Sequence, residues 1–120
     1  MLEKKSEEEL IQLCQNLVKE KSYSGEEEGV AQVLKSYFED NDFDEIKIDS
    51  CGNVIGVIKG KYDGPTLVFD GHIDTVPVQD ISKWSVNPFG GEIKDNRIYG
   101  RGTSDMKGGL AAMVVASVAF

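Results

Sequence analysis

FDGHIDTVP, residues 69–77, and GRGTSDMKGG, residues 100–109, are the two stretches that decide how this chain folds. The first follows an apolar run and places the one histidine of the chain, His72, two residues before Asp74. The second places Asp105 among glycines and directly before an apolar segment. The pair predicts a strand that ends at a polar site, and a tight turn that leads into a buried helix.

Two helices are expected ahead of these stretches. Apolar residues at helical spacing predict the first over about 6–20 and the second over about 25–40. Each start carries the pattern of a capping box, Ser6 with Glu9 and Ser24 with Glu27.

Strands and a third helix are expected after residue 45. Alternating apolar residues predict a hairpin over about 46–58 and another that turns at Asp95–Asn96. The apolar run Thr66–Phe69 is typical of a buried parallel strand. The segment from Met106 onward is apolar on nearly all sides, which predicts a buried helix. Its apolar side chains are expected to lack partners within this chain. These elements indicate an α/β fold with helices on a mixed sheet.

Length, charge and cysteine content limit the protein class. The 120 residues make at most one ordinary domain. Residues 1–45 hold 13 acidic and five basic side chains, whereas residues 46–120 hold eight of each, so no basic patch suits a nucleic acid. No signal-peptide pattern and no membrane-spanning run occur, and Cys14 and Cys51 require no oxidising compartment. A cytoplasmic protein without nucleic-acid or membrane partners is therefore expected.

His72 and Asp74 form a His-x-Asp pattern that suits a metal site. Residues two apart in an extended segment project to the same side, and a metal-binding imidazole usually donates its other N–H to a carboxylate. A plainer interpretation stays open, in which His72 bonds to backbone and Asp74 shapes the turn before Pro77. The triplet alone does not decide between the two.

Asp105 also allows more than one interpretation. Directly before a helix, its plain role is that of an N-cap. Alternatively, its two carboxylate oxygens could bridge two metal ions about 3.5–4 Å apart. A nucleotide-binding turn is a remote third interpretation, because Gly100 and Gly102 lack the third glycine of the dinucleotide motif and Lys107 lacks the P-loop context.

With Trp84 and Asn87-Pro88-Phe89 between them, the two stretches resemble the start of the M20 metallopeptidase family, which includes aminoacylases, deacetylases, desuccinylases and carboxypeptidases. The resemblance covers essentially the whole chain, with its specific motifs in residues 66–116. It implies a zinc-hydrolase-like, three-layer α/β/α sandwich with a mixed sheet. Residues 1–120 would be the N-terminal portion of that catalytic domain, truncated after the helix that follows Asp105, without the lid or dimerisation domain and the C-terminal half.

The same resemblance implies a role for each site residue. His72 would bind one zinc ion, Asp74 would orient His72, and Asp105 would bridge two zinc ions, with Co²⁺ or Mn²⁺ as substitutes. The peptide bond after Asp105 is often cis in this family. Thr75, Pro77, Lys107 and the neighbouring glycines would shape the site without binding metal. Trp84 and Phe89 are expected to pack the loop rather than to touch substrate.

For the parent protein, the resemblance implies a zinc-dependent amide hydrolase, in which a water between the metals attacks a small N-acyl amino acid or peptide. The family's general-base glutamate, its partner glutamate and a late histidine have no counterpart after Asp105. The isolated chain is therefore expected to bind metal partially or not at all and to be inactive, while the complete enzyme is compatible with a homodimer. A non-catalytic remnant or folding unit and, remotely, a nucleotide-binding module stay open.

Overall fold

The computed structural model describes residues 4–119, which form three helices and two short hairpins. Among these residues, no helix combines the length and apolar character that crossing a membrane requires. The elements in chain order are α1 (Lys4–Lys19), α2 (Glu28–Asp40), β1 (Glu45–Ile48), β2 (Val54–Val57), a 3₁₀ turn (Ile81–Lys83), β3 (Glu92–Lys94), β4 (Arg97–Tyr99), a wide turn (Thr103–Lys107) and α3 (Gly108–Val118).

The three helices form the core, with α1 packed against both α2 and α3. Each helix contributes an apolar stripe, and burying one such side chain contributes roughly 1.5–3 kcal/mol. The buried apolar residues are Leu13, Cys14, Leu17, Val18, Val30, Ala31, Leu34, Phe38, Leu110, Ala111, Val114 and Val115. The expectation that α3 would lack cover was wrong for its inner face, because α1 packs on it; Phe120 lies outside the described residues.

Both predicted capping boxes were wrong. Ser6 lies inside α1, which already includes Lys4. Helix α2 begins at Glu28, and among the described residues no side chain caps it at Glu27. The reason is a turn ahead of α2, in which the Glu26 N–H donates to the Tyr23 carbonyl over 2.7 Å. This turn separates Ser24 from the helix, and the Ser24 hydroxyl donates to a distant carboxylate instead.

Both predicted hairpins are confirmed. Strands β1 and β2 pair antiparallel with Glu45 opposite Val57, and β3 pairs with β4 in the same manner. Asp95 and Asn96 take φ values of 49° and 58°, the left-handed pair that a tight two-residue hairpin turn needs. The first hairpin lies against α2 at Gly56, where a Cβ atom would come within 2.8 Å of the Phe38 ring.

The predicted buried strand Thr66–Phe69 was wrong. Leu67 and Val68 are 69% and 76% exposed, and within residues 4–119 this run joins neither of the two sheets. A parallel strand needs neighbours that come from elsewhere in the sequence, whereas β1–β2 and β3–β4 each pair locally. The helices and small antiparallel sheets are compatible with an α/β fold, while the mixed sheet and the three-layer sandwich stay predictions.

Candidate metal site

The His-x-Asp stretch is held by the segment that follows α1. The Thr75 N–H donates to the Ser22 carbonyl over 2.7 Å, and Tyr23 and Thr75 form an isolated parallel bridge. The Ser22 hydroxyl donates to the Ile73 carbonyl over 2.9 Å. Ser22 and Thr75 are both buried, so the backbone on each side of Asp74 is fixed against the interior.

The turn that carries Asp105 is pressed closely onto this stretch. Gly102 has a φ of 85°, and a Cβ atom there would lie 2.6 Å from the Thr75 Cγ2 atom. Only glycine meets both conditions without strain. The Lys107 N–H closes the turn on the Gly102 carbonyl over 2.8 Å, and the peptide between Asp105 and Met106 is cis, as the family resemblance implied.

Lys107 fastens the Asp105 turn to α1. Its side chain is buried, and its Nζ donates to the carbonyls of Leu17 and Glu20, each over 2.7 Å. These carbonyls lie at the end of α1, where the helix leaves acceptors unpaired and favours a cation. Burial lowers the pKa of Lys107 to about 8. The family resemblance implied only a general shaping role for Lys107, and a lysine inside a glycine-rich, apolar run was the one available signal.

The structure brings His72, Asp74 and Asp105 together. The His72 Nε2 atom lies 2.8 Å from Asp105 Oδ1, and the Nδ1 atom lies 3.1 Å from Asp74 Oδ1. The side chain of Asp105 is 88% exposed and that of His72 is 47% exposed. The cluster borders a cavity of about 270 Å³, whose wall also includes Thr75 and the turn over residues 100–104.

The protonation states of these side chains favour a positive charge at the contact between His72 and Asp105. Hydrogen bonding to Asp105 raises the pKa of His72 above its usual 6.5. Desolvation opposes this rise, and hydrogen bonds to the carbonyl and the carboxylate of Asp74 add to it. A hydrogen bond from Ser24, followed by the contact with His72, lowers the pKa of the Asp74 carboxyl, which therefore stays an acceptor. When Nδ1 donates its proton to Asp74, the lone pair of Nε2 faces the Asp105 carboxylate. Two acceptors at 2.8 Å repel each other, so this arrangement needs a proton between the two atoms or a cation bound to both.

The donor set fits a transition-metal ion in kind but is incomplete in number. Imidazole nitrogen and carboxylate oxygen are donors that zinc, cobalt and manganese accept. Within residues 4–119, however, no group of three or more His, Cys, Asp or Glu side chains is placed to hold an ion. A metal ion held by His72 and Asp105 would therefore need further ligands.

Several sequence interpretations can now be decided. The N-cap role of Asp105 was wrong, because α3 begins only at Gly108 and Asp105 itself has non-helical φ and ψ. Trp84 and Phe89 pack within the loop region, since the Arg101 guanidinium lies 5.2 Å from the Trp84 ring and Phe89 contacts Tyr23. The Ser24 contact with Asp74 was missed, since the same serine also fits a capping pattern.

We expect Asp105→Asn to lower the pKa of His72 towards 6.5, because it removes the charged acceptor that stabilises the imidazolium form. The chain has a single histidine, so one ring proton signal in an NMR titration reports this pKa directly. Asp95→Asn makes the same change in the β3–β4 turn and serves as the control. An unchanged His72 pKa in Asp105→Asn would show that the two side chains do not interact in solution.

Comparison with known proteins supports the family resemblance. Residues 68–120 match the sequence model of peptidase family M20/M25/M40. The chain belongs to the M20 family. It is 36% identical over 112 residues to succinyl-diaminopimelate desuccinylase 2 of Ruegeria sp. (strain TM1040), an alignment that covers 92% of this chain and 28% of the relative.

Two further relatives carry the same name. Succinyl-diaminopimelate desuccinylase of Vesicomyosocius okutanii is 38% identical over 112 residues, which are 92% of this chain and 29% of the relative. That of Rhodospirillum centenum is 56% identical over 57 residues, 48% of this chain and 15% of the relative. This M20 family chain thus spans less than a third of the length of the curated relatives it matches.

Proposed function

We propose that this chain supplies half of the metal site of an amide hydrolase that removes an acyl group from an amino acid. The observation that carries the proposal is the approach of His72 Nε2 to Asp105 Oδ1 at 2.8 Å, with Asp74 behind the ring. Membership of the M20 family supports the metal-dependent reaction class.

Each of the three side chains has a distinct role in this proposal. His72 binds a metal ion through Nε2, Asp74 accepts the Nδ1 proton and so keeps Nε2 free, and Asp105 offers two oxygens to two ions. Bound zinc ions would supply an activated water and polarise the amide carbonyl. Cobalt and manganese suit the same donors.

We further propose an N-succinyl amino acid as the substrate class. The support is that the three relatives named above are succinyl-diaminopimelate desuccinylases and that the similarity of two of them extends over 92% of this chain. A cytoplasmic location and a homodimer stay predictions for the complete protein.

The chain alone is expected to be inactive, because its ligand set is incomplete. A catalytic zinc usually has about three protein ligands and an open position, and His72 with Asp105 would share two ions. We propose that the other ligands and the general base that moves the proton come from residues outside these 120.

The test compares this chain with the complete product of its reading frame, loaded with zinc and given N-succinyl and N-acetyl amino acids. We expect amine release only from the complete protein, loss of that release with a chelator, and a drop of roughly 100-fold or more in Asp105→Asn. Asp95→Asn, the matched change in the β3–β4 turn, should keep the original rate. Turnover that survives chelation, or zinc-dependent turnover by the 120 residues alone that His72→Ala abolishes, would contradict the proposal.

A further inference from the structure

The segment between α1 and α2 is docked on the His-x-Asp stretch by more than its backbone pairing. The Ser22 carbonyl accepts from the Thr75 N–H over 2.7 Å, and the Tyr23 hydroxyl accepts from the Val78 N–H over 3.0 Å. Ser22 itself is fully buried. These contacts fix which residue of the segment faces Asp74, and that residue is Ser24.

Ser24 contacts the carboxylate oxygen that His72 does not use. The Ser24 hydroxyl donates to Asp74 Oδ2, while Asp74 Oδ1 lies 3.1 Å from His72 Nδ1. The serine is placed by a turn in which Gly25 has a φ of 92° and Glu26 N–H donates to the Tyr23 carbonyl. The turn thus places a short side chain, with its hydroxyl, next to Asp74.

We infer that Ser24 is a positioning residue for the metal site, acting on His72 through Asp74. The inference rests on the proposed function and extends it to a segment 48 residues before the histidine. The terminal torsion of an aspartate is broad, so one hydrogen bond to the imidazole leaves the carboxylate free to rotate. A second bond on the other oxygen restrains that rotation and keeps Oδ1 facing Nδ1.

The consequence for metal binding follows from the two tautomers of the ring. In the neutral ring, Asp74 and Asp105 compete for the single proton, because Nδ1 lies 3.1 Å from both the carboxylate and the backbone carbonyl of Asp74, and Nε2 lies 2.8 Å from Asp105. Only the tautomer with the proton on Nδ1 leaves a lone pair on Nε2 for a metal ion. By holding Asp74 in place, Ser24 favours that tautomer. If Ser24 only closed the loop between α1 and α2, its loss would change stability and leave the ring unaffected.

The test uses three variants of the 120-residue chain. Ser24→Ala removes the hydroxyl, Ser24→Thr retains it, and Ser82→Ala is the matched control, because the exposed Ser82 hydroxyl donates to Asp80 over 2.6 Å away from the site. Nitrogen-15 shifts of the single histidine, recorded without metal at alkaline pH, report the tautomer ratio. Zinc titrations followed by NMR report affinity.

We expect Ser24→Ala to increase the fraction of the Nε2–H tautomer several-fold and to weaken zinc binding by up to about 10-fold. Ser24→Thr should restore both values, and Ser82→Ala should change neither. Should Ser24→Ala not fold, Ser24→Val removes the hydroxyl in a side chain of the same shape as that of Ser24→Thr.

The outcomes separate this inference from the proposed function. If Ser24→Ala matches Ser82→Ala in tautomer ratio and in zinc affinity, the positioning role is overturned. If the tautomer ratio changes in Ser24→Ala but His72→Ala binds zinc as well as the unsubstituted chain, the positioning role is supported and the metal site is not. If the tautomer ratio and the zinc affinity change together and Ser24→Thr restores both, the two proposals are supported together.

Discussion

His72→Ala is expected to abolish detectable zinc binding by the 120-residue chain. His72 provides the only imidazole of the chain, and its Nε2 atom lies 2.8 Å from Asp105 Oδ1. Loss of an outer-shell partner typically lowers metal affinity about 10–100-fold, and loss of the ligand itself should exceed that range. A carboxylate pair alone also prefers harder ions such as magnesium and calcium.

The measurement is a zinc titration up to millimolar concentration, followed through the backbone amide signals of residues 72–76 and 102–106. Asp105→Asn should weaken binding as well, because Asp105 provides the facing oxygen. Ser82→Ala, which alters an exposed hydrogen bond elsewhere, is the control. If zinc perturbs the same amides equally in His72→Ala, the ion binds there without the imidazole, and the proposed role of His72 as a ligand is refuted.

The sequence predicted those parts of the fold and site that depend on local chemistry. The Asp95–Asn96 turn is specified by two residues that tolerate left-handed backbone, and the structure has them in that conformation. The proximity of His72 to Asp105 followed from two motifs whose order and spacing carry a family resemblance. The distance of 2.8 Å between His72 Nε2 and Asp105 Oδ1 comes from the structure, where contacts with Ser22, Leu17 and Glu20 hold the two stretches together.

What the sequence could not predict depends on contacts between distant segments. Ser24 fits a capping box by type and spacing, and only the turn at Gly25 shows that its hydroxyl reaches Asp74. The run Thr66–Phe69 has the composition of a buried strand, but its partners are not determined by its own residues. Both cases involve a residue or run that suits two environments, and tertiary contacts decide which of the two it adopts.

The burial of Lys107 makes the free energy of unfolding depend on pH. Its Nζ is buried between the carbonyls of Leu17 and Glu20, and burial lowers its pKa from 10.5 to about 8. In the unfolded chain the pKa returns to 10.5. Between pH 8 and pH 10.5 the unfolded state therefore holds a proton that the folded state has released, so the free energy of unfolding rises with pH. The difference in pKa corresponds to about 3 kcal/mol, and below pH 8 this contribution is constant because both states are charged.

We expect this rise to disappear in Lys107→Met, which keeps an apolar stem of similar length and lacks the titrating group. Urea unfolding of both chains between pH 7 and pH 10.5 gives the free energy at each pH. Both chains should carry Cys14→Ala, since burial raises the pKa of the Cys14 thiol and its ionisation in the unfolded state would oppose the effect. The difference between the two chains should grow by about 3 kcal/mol across this range. Parallel curves would mean that the Lys107 ammonium is not desolvated in solution, and the Asp105 turn would then not be fastened to α1 by a buried cation.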